Sequence, residues 1–287
     1  MTPGAPSTPT VASALRQAMG SGCARLDAQM LLLCALGRAP HDRAWLLAHD
    51  SDDLDANLQA RFGAILERRL QGEPLAYITG HQEFHGLDLQ VDPRVLCPRA
   101  DTETLVDWAL ELLPPSARVL DLGTGSGAIA LALKHRRADV HLHARDMSAD
   151  ALDVAQANAQ RLGLSVEFSQ GSWLEGVTQR FDVVVSNPPY IAAADPHLAA
   201  LIHEPLRALA SGTDGLDDLR CIIAQAPPHL MPEGWLLLEH GYDQARAVGD
   251  LLRGAGFVDV QSRLDLPGIA RCSGGRWPGR GARQHGT

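Results

Sequence analysis

Residues 119–132 read VLDLGTGSGAIALA: an apolar run containing Asp121, a loop with Gly123, Gly125 and Gly127, then a second apolar run from Ala128. Strand, glycine loop and helix follow one another without a break. Glycines at the carboxyl end of a strand let the main chain pass close to a ligand, and the helix that follows offers free N–H groups. The next strand ends in Asp146, 23 residues past Gly123, where a carboxylate can accept hydrogen bonds from ribose hydroxyls. A tight turn with a helix-capping Asp is the alternative, and the spacing disfavours it. The glycines run G-x-G-x-G, not the G-x-G-x-x-G of dinucleotide binding, and Asp121 stands just before them. A carboxylate there suits the ammonium and sulfonium end of S-adenosylmethionine better than a pyrophosphate, so NAD is the second choice of cofactor.

Outward from this unit the same alternation continues. Strands are expected at Arg118–Asp121, Val140–Asp146, Ser165–Ser169, Phe181–Ser186, Trp235–Glu239 and Phe257–Leu264. Helices are expected at Glu103–Leu113, Ala128–Arg136, Ala149–Leu162, Leu216–Leu230 and Gln244–Ala255. Such alternation means βαβ units on a mostly parallel sheet with right-handed crossovers. Asp265–Arg271 reads as a closing hairpin, and the Gly- and Arg-rich tail 273–287 as disordered.

Upstream the period differs. From Thr10 to Gly72 apolar residues such as Leu15, Met19, Leu26, Met30 and Leu33 recur at spacings of three and four, which predicts four or five short helices. Asp53 is a candidate cap for the helix carrying Phe62. Between Pro74 and Pro98, Tyr77, Ile78, Phe84, Leu87 and Leu89 alternate with polar residues around Gly80 and Gly86, the pattern of a β-hairpin or extended linker. The expected organisation is therefore a helical domain over 1–73, a hairpin linker over 74–98 and an α/β domain over 99–272.

The 287 residues are 45% apolar and 21% charged, ordinary for a globular protein, and the net charge of −9 argues against broad attraction to nucleic acid or anionic membranes. Lys134 is the only lysine. Five scattered cysteines form no C-x-x-C pair, so neither a disulfide framework nor a zinc ribbon is expected. No secretory signal and no membrane-length apolar run stands in the sequence, which suggests a cytoplasmic protein. His81 and His85 are four apart, but Gln82 occupies the place where a zinc-protease helix needs Glu, and no metal is expected.

The strand FDVVVS runs straight into Asn187-Pro188-Pro189-Tyr190. Two prolines stiffen the backbone and remove two donors, leaving carbonyls to accept. Asn187 adds a side-chain carbonyl and Tyr190 a flat face, which together suit a planar –NH2 group. A rigid turn with a buried Tyr is the alternative reading. It loses force because the motif lies at the same sheet edge as the glycine loop.

A glycine-loop core followed by NPPY resembles the amino-methyltransferases. Further segments stand in one order: GEPLAYITGHQEF (72–84), VLCPRADTETLV (95–106), SNPPYI (186–191), HEPLRAL (203–209), GTDGL (212–216) and LLLEHGYDQ (236–244). Together, over roughly residues 10–272, they look like the peptide chain release factor N5-glutamine methyltransferases. The resemblance implies a Rossmann-like seven-stranded methyltransferase core behind a small helical bundle and a β-hairpin linker; the bundle carries no cofactor motif and is expected to recognise the substrate protein. It implies S-adenosylmethionine, leaving as S-adenosylhomocysteine, against Asp121, Gly123, Thr124, Gly125, Ser126, Gly127, Asp146, Trp173 and Asn187. The glutamine would meet Asn187, Pro188, Pro189 and Tyr190, with Asn187, Pro188 and Tyr190 carrying the chemistry. Trp173 also fits on physical grounds, since an indole beside the loop can cover an adenine face.

Two positions depart from the expected pattern: Ser172, where some members carry an acid, and Arg145, where an apolar strand residue is usual. Arg99, Asp101, Thr102 and Glu103 open a helix, with Asp101 or Thr102 as cap, and also border the implied active-site mouth. Glu204 and Glu239 are either ion-pair or pocket residues. The acceptor implied is a release factor. A ribosomal-protein glutamine methyltransferase, an adenine N6-methyltransferase of nucleic acid, an NAD(P)-dependent enzyme and a non-catalytic binding module are the competing readings, in falling order.

Overall fold

The Thr10 hydroxyl accepts the Ser13 N–H, so the chain enters α1 (Val11–Gly20) with one of the helix's orphan donors satisfied. The computed structural model describes residues 8–278, and these divide after Gly80 into two units. In the first, α2 (Arg25–Ala35) packs against α1, α3 (Arg43–Ala48), α4 (Ala56–Leu70) and α5 (Leu75–Thr79). Being enclosed by four neighbours, α2 buries Leu31, Leu32 and Leu33 in succession. The cap of α4 is Asp55, whose carboxylate accepts the Leu58 N–H at 2.7 Å; Asp53, expected in that role, pairs with Thr10 in an isolated bridge instead.

The expected alternation fails at α5. Ala76, Tyr77 and Ile78 are buried consecutively, and Gly80 at φ 77° closes the helix in the left-handed region. The segment expected as a linker, 74–98, therefore splits. Its first part belongs to the helical unit, where Ile78 joins the core. The hairpin β1 (His81–Phe84) and β2 (Leu87–Gln90) belongs to the second unit, where Phe84, Leu87 and Leu89 enter the core. His85 and Gly86 both take positive φ, the two-residue turn that matches strand twist.

The second unit continues with α6 (Glu103–Leu112), β3 (Arg118–Leu122), α7 (Ala128–Arg136), β4 (His141–Asp146), α8 (Ala149–Leu162), β5 (Glu167–Gln170) and β6 (Phe181–Ser186). After a long irregular segment come α9 (Asp217–Gln225), β7 (Leu230–Glu239), α10 (Ala245–Gly254), β8 (Val258–Leu264) and β9 (Ala270–Arg276). The seven strands β3–β9 form one sheet in the order β5-β4-β3-β6-β7-β9-β8. The first five are parallel, and β9 runs antiparallel between β7 and β8. This is an α/β, Rossmann-like sheet with a core on each face. Val119, Val183, Val185 and Leu237 pack with Trp108 and Leu131, while Leu120, Val184, Leu236 and Leu238 pack with Ile222 and Leu252. The period-two alternation along each strand divides its apolar residues between the two layers.

Three expectations are corrected here. The helix expected over Leu216–Leu230 ends at Gln225, because Pro227 and Pro228 lack the N–H groups to continue it and form a short 3-10 turn. β7 begins at Leu230 rather than Trp235, with a register shift opposite Phe181–Val183. The tail is not disordered from 273: Ser273–Arg276 are the second half of β9. Gly274 lies there because a Cβ would stand 2.6 Å from the Leu237 side chain and 2.9 Å from the Trp108 ring. The glycines that suggested fraying permit close packing. Residues 279–287 of that tail lie outside the described residues.

Candidate active site

Strand order reverses between β3 and β6: the chain leaves β3 for β4 on one side and returns to β6 on the other. Ligands of open α/β sheets bind beyond the carboxyl ends of strands at such a point. The Ser186 hydroxyl donates to the Leu122 carbonyl at 2.7 Å and pins the two strand ends together there. A cavity lies at this place, enclosing about 1050 Å³ including space open to solvent.

One wall is the glycine loop. Gly123, Thr124, Gly125 and Ser126 line the cavity, and the Gly123 and Thr124 N–H groups donate to the Arg145 carbonyl at 2.8 and 3.0 Å. Gly123 has φ 69°, and a Cβ on it would come within 3.3 Å of the Trp173 ring. Glycine at 123 thus lets the indole close over the loop. Trp173 itself lines the cavity, at φ 38°, with its Nε1–H donating to Asp218 at 3.1 Å. Gly127 does not line the cavity; its missing Cβ makes room for Leu131 and Ala155.

Asp146 lines the same wall. One carboxylate oxygen accepts the Gly125 N–H and the other the Ser148 N–H, both at 2.9 Å, which leaves a lone pair on each for a ligand. Asp121 stands one layer behind. It is fully buried, and its Oδ2 accepts the Thr124 hydroxyl and the Ala130 N–H at 2.6 and 3.2 Å. Its Oδ1 has no hydrogen-bond partner. Burial, with the Asp146 charge adding a smaller push against the two hydrogen bonds, raises the Asp121 carboxyl to about 7. The two unusual positions both line this wall. Ser172 stands beside Trp173, and Arg145 crosses the Gly171 backbone to donate to the Glu175 carbonyl at 2.6 Å.

The facing wall is built from NPPY. Asn187 and Pro189 line the cavity, whereas Pro188 is buried and neither it nor Tyr190 is part of the lining. The Asn187 Nδ2 donates to the Thr102 hydroxyl at 3.1 Å. Thr102 occupies the N-cap position of α6 yet caps nothing, contrary to the expectation for it. The Tyr190 hydroxyl donates to Glu239 at 3.2 Å, and Gln244 Nε2 donates to the Tyr190 carbonyl at 3.0 Å, so both ends of the tyrosine are tied. Glu204 takes the ion-pair role with Arg99 and accepts the Cys97 N–H at 3.2 Å. His81 pairs with Asp88 and His85 with Asp107.

Three contributors were not legible in the sequence. Ser186 is one. Asn158 is another: it is wholly buried, exchanges hydrogen bonds with both backbone groups of Gln90, and donates to the Ser126 carbonyl, joining hairpin to glycine loop. Thr102 in its link to Asn187 is the third. Each acts across long sequence separations, and no local pattern marks it. Among the described residues no cluster of three or more His, Cys, Asp or Glu could hold a metal ion, and no helix is long and apolar enough to cross a membrane.

Comparison with known proteins agrees with this geometry. Residues 101–239 match the family model described as methyltransferase small domain, and residues 10–80 match that described as PrmC N-terminal domain. A relative from Xylella fastidiosa named release factor glutamine methyltransferase is 50% identical over 89% of this chain and 94% of its own. Proteins of the same name from Bordetella pertussis and Burkholderia pseudomallei are 49% and 47% identical, covering 88% and 96% of this chain and 95% and 98% of theirs. A solved methyltransferase from Pyrococcus furiosus superposes with a TM-score of 0.54 at 20% identity, over 74% of this chain and 97% of that one, and so shares the fold.

Proposed function

The chain belongs to the release factor glutamine methyltransferase family, and from that premise we propose that it moves a methyl group from S-adenosylmethionine to the side-chain amide nitrogen of a glutamine in a peptide chain release factor. The observation that carries the reading is the meeting of two walls in one cavity at the sheet's switch point, Gly123–Ser126 with Asp146 on one and Asn187 on the other.

The residues present fit the donor. Asp146 has lone pairs to spare for ribose hydroxyls, Trp173 a flat apolar face, and Asp121 an unpartnered buried Oδ1 to which we assign the ammonium group. S-adenosylmethionine supplies an electrophilic methyl carbon on a sulfonium. An amide nitrogen is a poor nucleophile because its lone pair is delocalised into the carbonyl, so the protein must supply alignment rather than a tuned base. Asn187 Oδ1 and the Pro188 carbonyl would each accept one N–H of the glutamine amide. Orientation of this kind is worth roughly 7–11 kcal/mol. Accepting both hydrogens also pushes electron density onto the nitrogen and eases the loss of one of these protons to solvent after transfer, which leaves the neutral N-methyl amide and S-adenosylhomocysteine. Tyr190, tied through its hydroxyl and its carbonyl, would hold the amide plane and exclude water.

The helical unit carries no cofactor motif, and we assign it recognition of the folded substrate protein, in the cytoplasm. Its binding energy would then help hold the glutamine at Asn187. The test is transfer of labelled methyl to release factors, ribosomal protein and DNA in parallel. Label in the release factor glutamine alone is expected, and label only in the other two overturns the reading. A chain starting at His81 should keep donor binding and lose most of its kcat/KM on the intact release factor, while its activity on a short glutamine peptide changes little. Equal loss on both substrates, with the shortened chain folded by circular dichroism, makes the helices a structural support only.

A further inference from the structure

Trp173 takes φ 38°, in the left-handed region that a bulky residue adopts only where its surroundings hold it. Three bonds hold the turn that carries it. Two come from α9: the indole Nε1–H donates to Asp218 and the Leu174 N–H to Gln225 Oε1, both at 3.1 Å. The third comes from β4, where Arg145 Nη2 donates to the Glu175 carbonyl at 2.6 Å. The carbonyl of the same Arg145 accepts the Gly123 and Thr124 N–H groups at 2.8 and 3.0 Å. One residue therefore holds the glycine loop by its main chain and the Trp173 turn by its side chain. The guanidinium reaches that turn by lying across Gly171, where a Cβ would overlap Nη2 and Cζ. Its Nε–H is buried without a partner. A buried donor left unsatisfied lowers stability, so stability alone does not account for an arginine here.

We propose that Arg145 is a positioning residue for the methyl donor, a brace that keeps the Trp173 indole against the glycine loop before the donor arrives. With the cover already in place, binding does not have to order it. The proposal rests on the reading that this cavity takes S-adenosylmethionine, and it deepens that reading by naming what holds the adenine cover. It also accounts for Gly171, which must lack a side chain because the brace passes over it.

Arg145→Ala should weaken S-adenosylmethionine by about tenfold in calorimetric Kd. Its kcat at saturating donor should stay within about twofold of wild type, since the acceptor wall is untouched. Arg145→Lys, which keeps a donor on a long stem, should recover most of the loss. Gly171→Ala puts a methyl where the guanidinium lies and should displace it. The two losses of affinity should then fall about tenfold short of multiplying in the double variant, because the brace can be removed only once. The strain of an alanine at the φ of 159° is common to both backgrounds and cancels. Fluorotryptophan labelling gives a readout without donor: the 19F resonance of Trp173, identified by its loss in Trp173→Phe, should shift and broaden in Arg145→Ala while those of the other tryptophans do not. If Gly171→Ala fails to fold, the Arg145 variants carry the test through affinity and resonance. Losses that multiply, an unmoved Trp173 resonance, or a fall in kcat as large as the fall in affinity each overturn the proposal. A wild-type protein that binds no S-adenosylmethionine, with the Trp173 resonance still moved by Arg145→Ala, overturns the functional reading and leaves the brace standing.

Discussion

The two walls of the cavity are made of different material. The wall we assign to the methyl donor is mostly main chain, with Gly123 to Ser126 held by the Arg145 carbonyl and by a carboxylate, Asp146, that bonds backbone on both oxygens. The wall we assign to the acceptor is held by pairs of side chains, Asn187 with Thr102 and Tyr190 with Glu239, with sequence separations of 85 and 49 residues. A wall of backbone is set by local sequence and tolerates changes around it. A wall of side chains is set by tertiary contacts, and every member can be deleted singly.

The comparison breaks most readily at Asn187. Asn187→Ala should lower kcat by about a hundredfold or more, because alignment is what this wall supplies, and should leave donor affinity nearly intact. Retention of more than about a tenth of wild-type turnover in a methyl-transfer assay is incompatible with an orienting role of that size. On the opposite wall the expected effect is smaller and of another kind. Asp146→Ala should weaken donor binding by about 1.5–3 kcal/mol, roughly tenfold to a hundredfold in calorimetric Kd, through lost charge-assisted bonds. Unchanged affinity would remove Asp146 from the donor site.

The smallest effect sharpens the comparison rather than breaking it, because each wall has one buried acid behind it. Burial raises Asp121 and Glu239 to about 7. Between the ordinary carboxyl range and that value the unfolded chain has released a proton that the folded chain still holds. Each group therefore makes stability fall as pH rises through the window. Glu239→Gln removes one such group. The melting temperature of the variant relative to wild type should accordingly rise from about pH 5 to about pH 7, and a difference independent of pH would show that Glu239 ionises as it does in the unfolded chain.

The same contrast explains what could be read in advance. Phe181–Ser186, Ala128–Arg136 and Ala149–Leu162 fall at their expected bounds, because long runs of one period leave little choice of element. Asp146 and Gly123 to Ser126 were legible because a backbone-built wall leaves its trace in one short stretch. Thr102 was legible as a residue at the mouth, but its link to Asn187 was not, and neither was Asn158, since what each bonds lies 85 and 68 residues away. At Leu75–Thr79 five residues are too few to separate one period from another. At Gly274 the composition pointed to a loose tail, whereas the cause of the glycine is a neighbour, Trp108, that only the folded sheet brings near.

The place of β9 has a consequence for the order in which the molecule is made. Synthesis runs from the amino end, and β9 is the last strand of the described residues, yet it sits inside the sheet between β7 and β8. Until it emerges from the ribosome, β7 presents the bare edge of an apolar strand, Trp235-Leu236-Leu237-Leu238, to whatever else is nascent nearby. The parallel strands that frame the cavity can pair before then. The β8–β9 hairpin is a local structure and can form by itself before docking. A ribosome stalled just before β9 should therefore hold a chain with its glycine loop assembled and its sheet open, the state in which this protein is most exposed to aggregation.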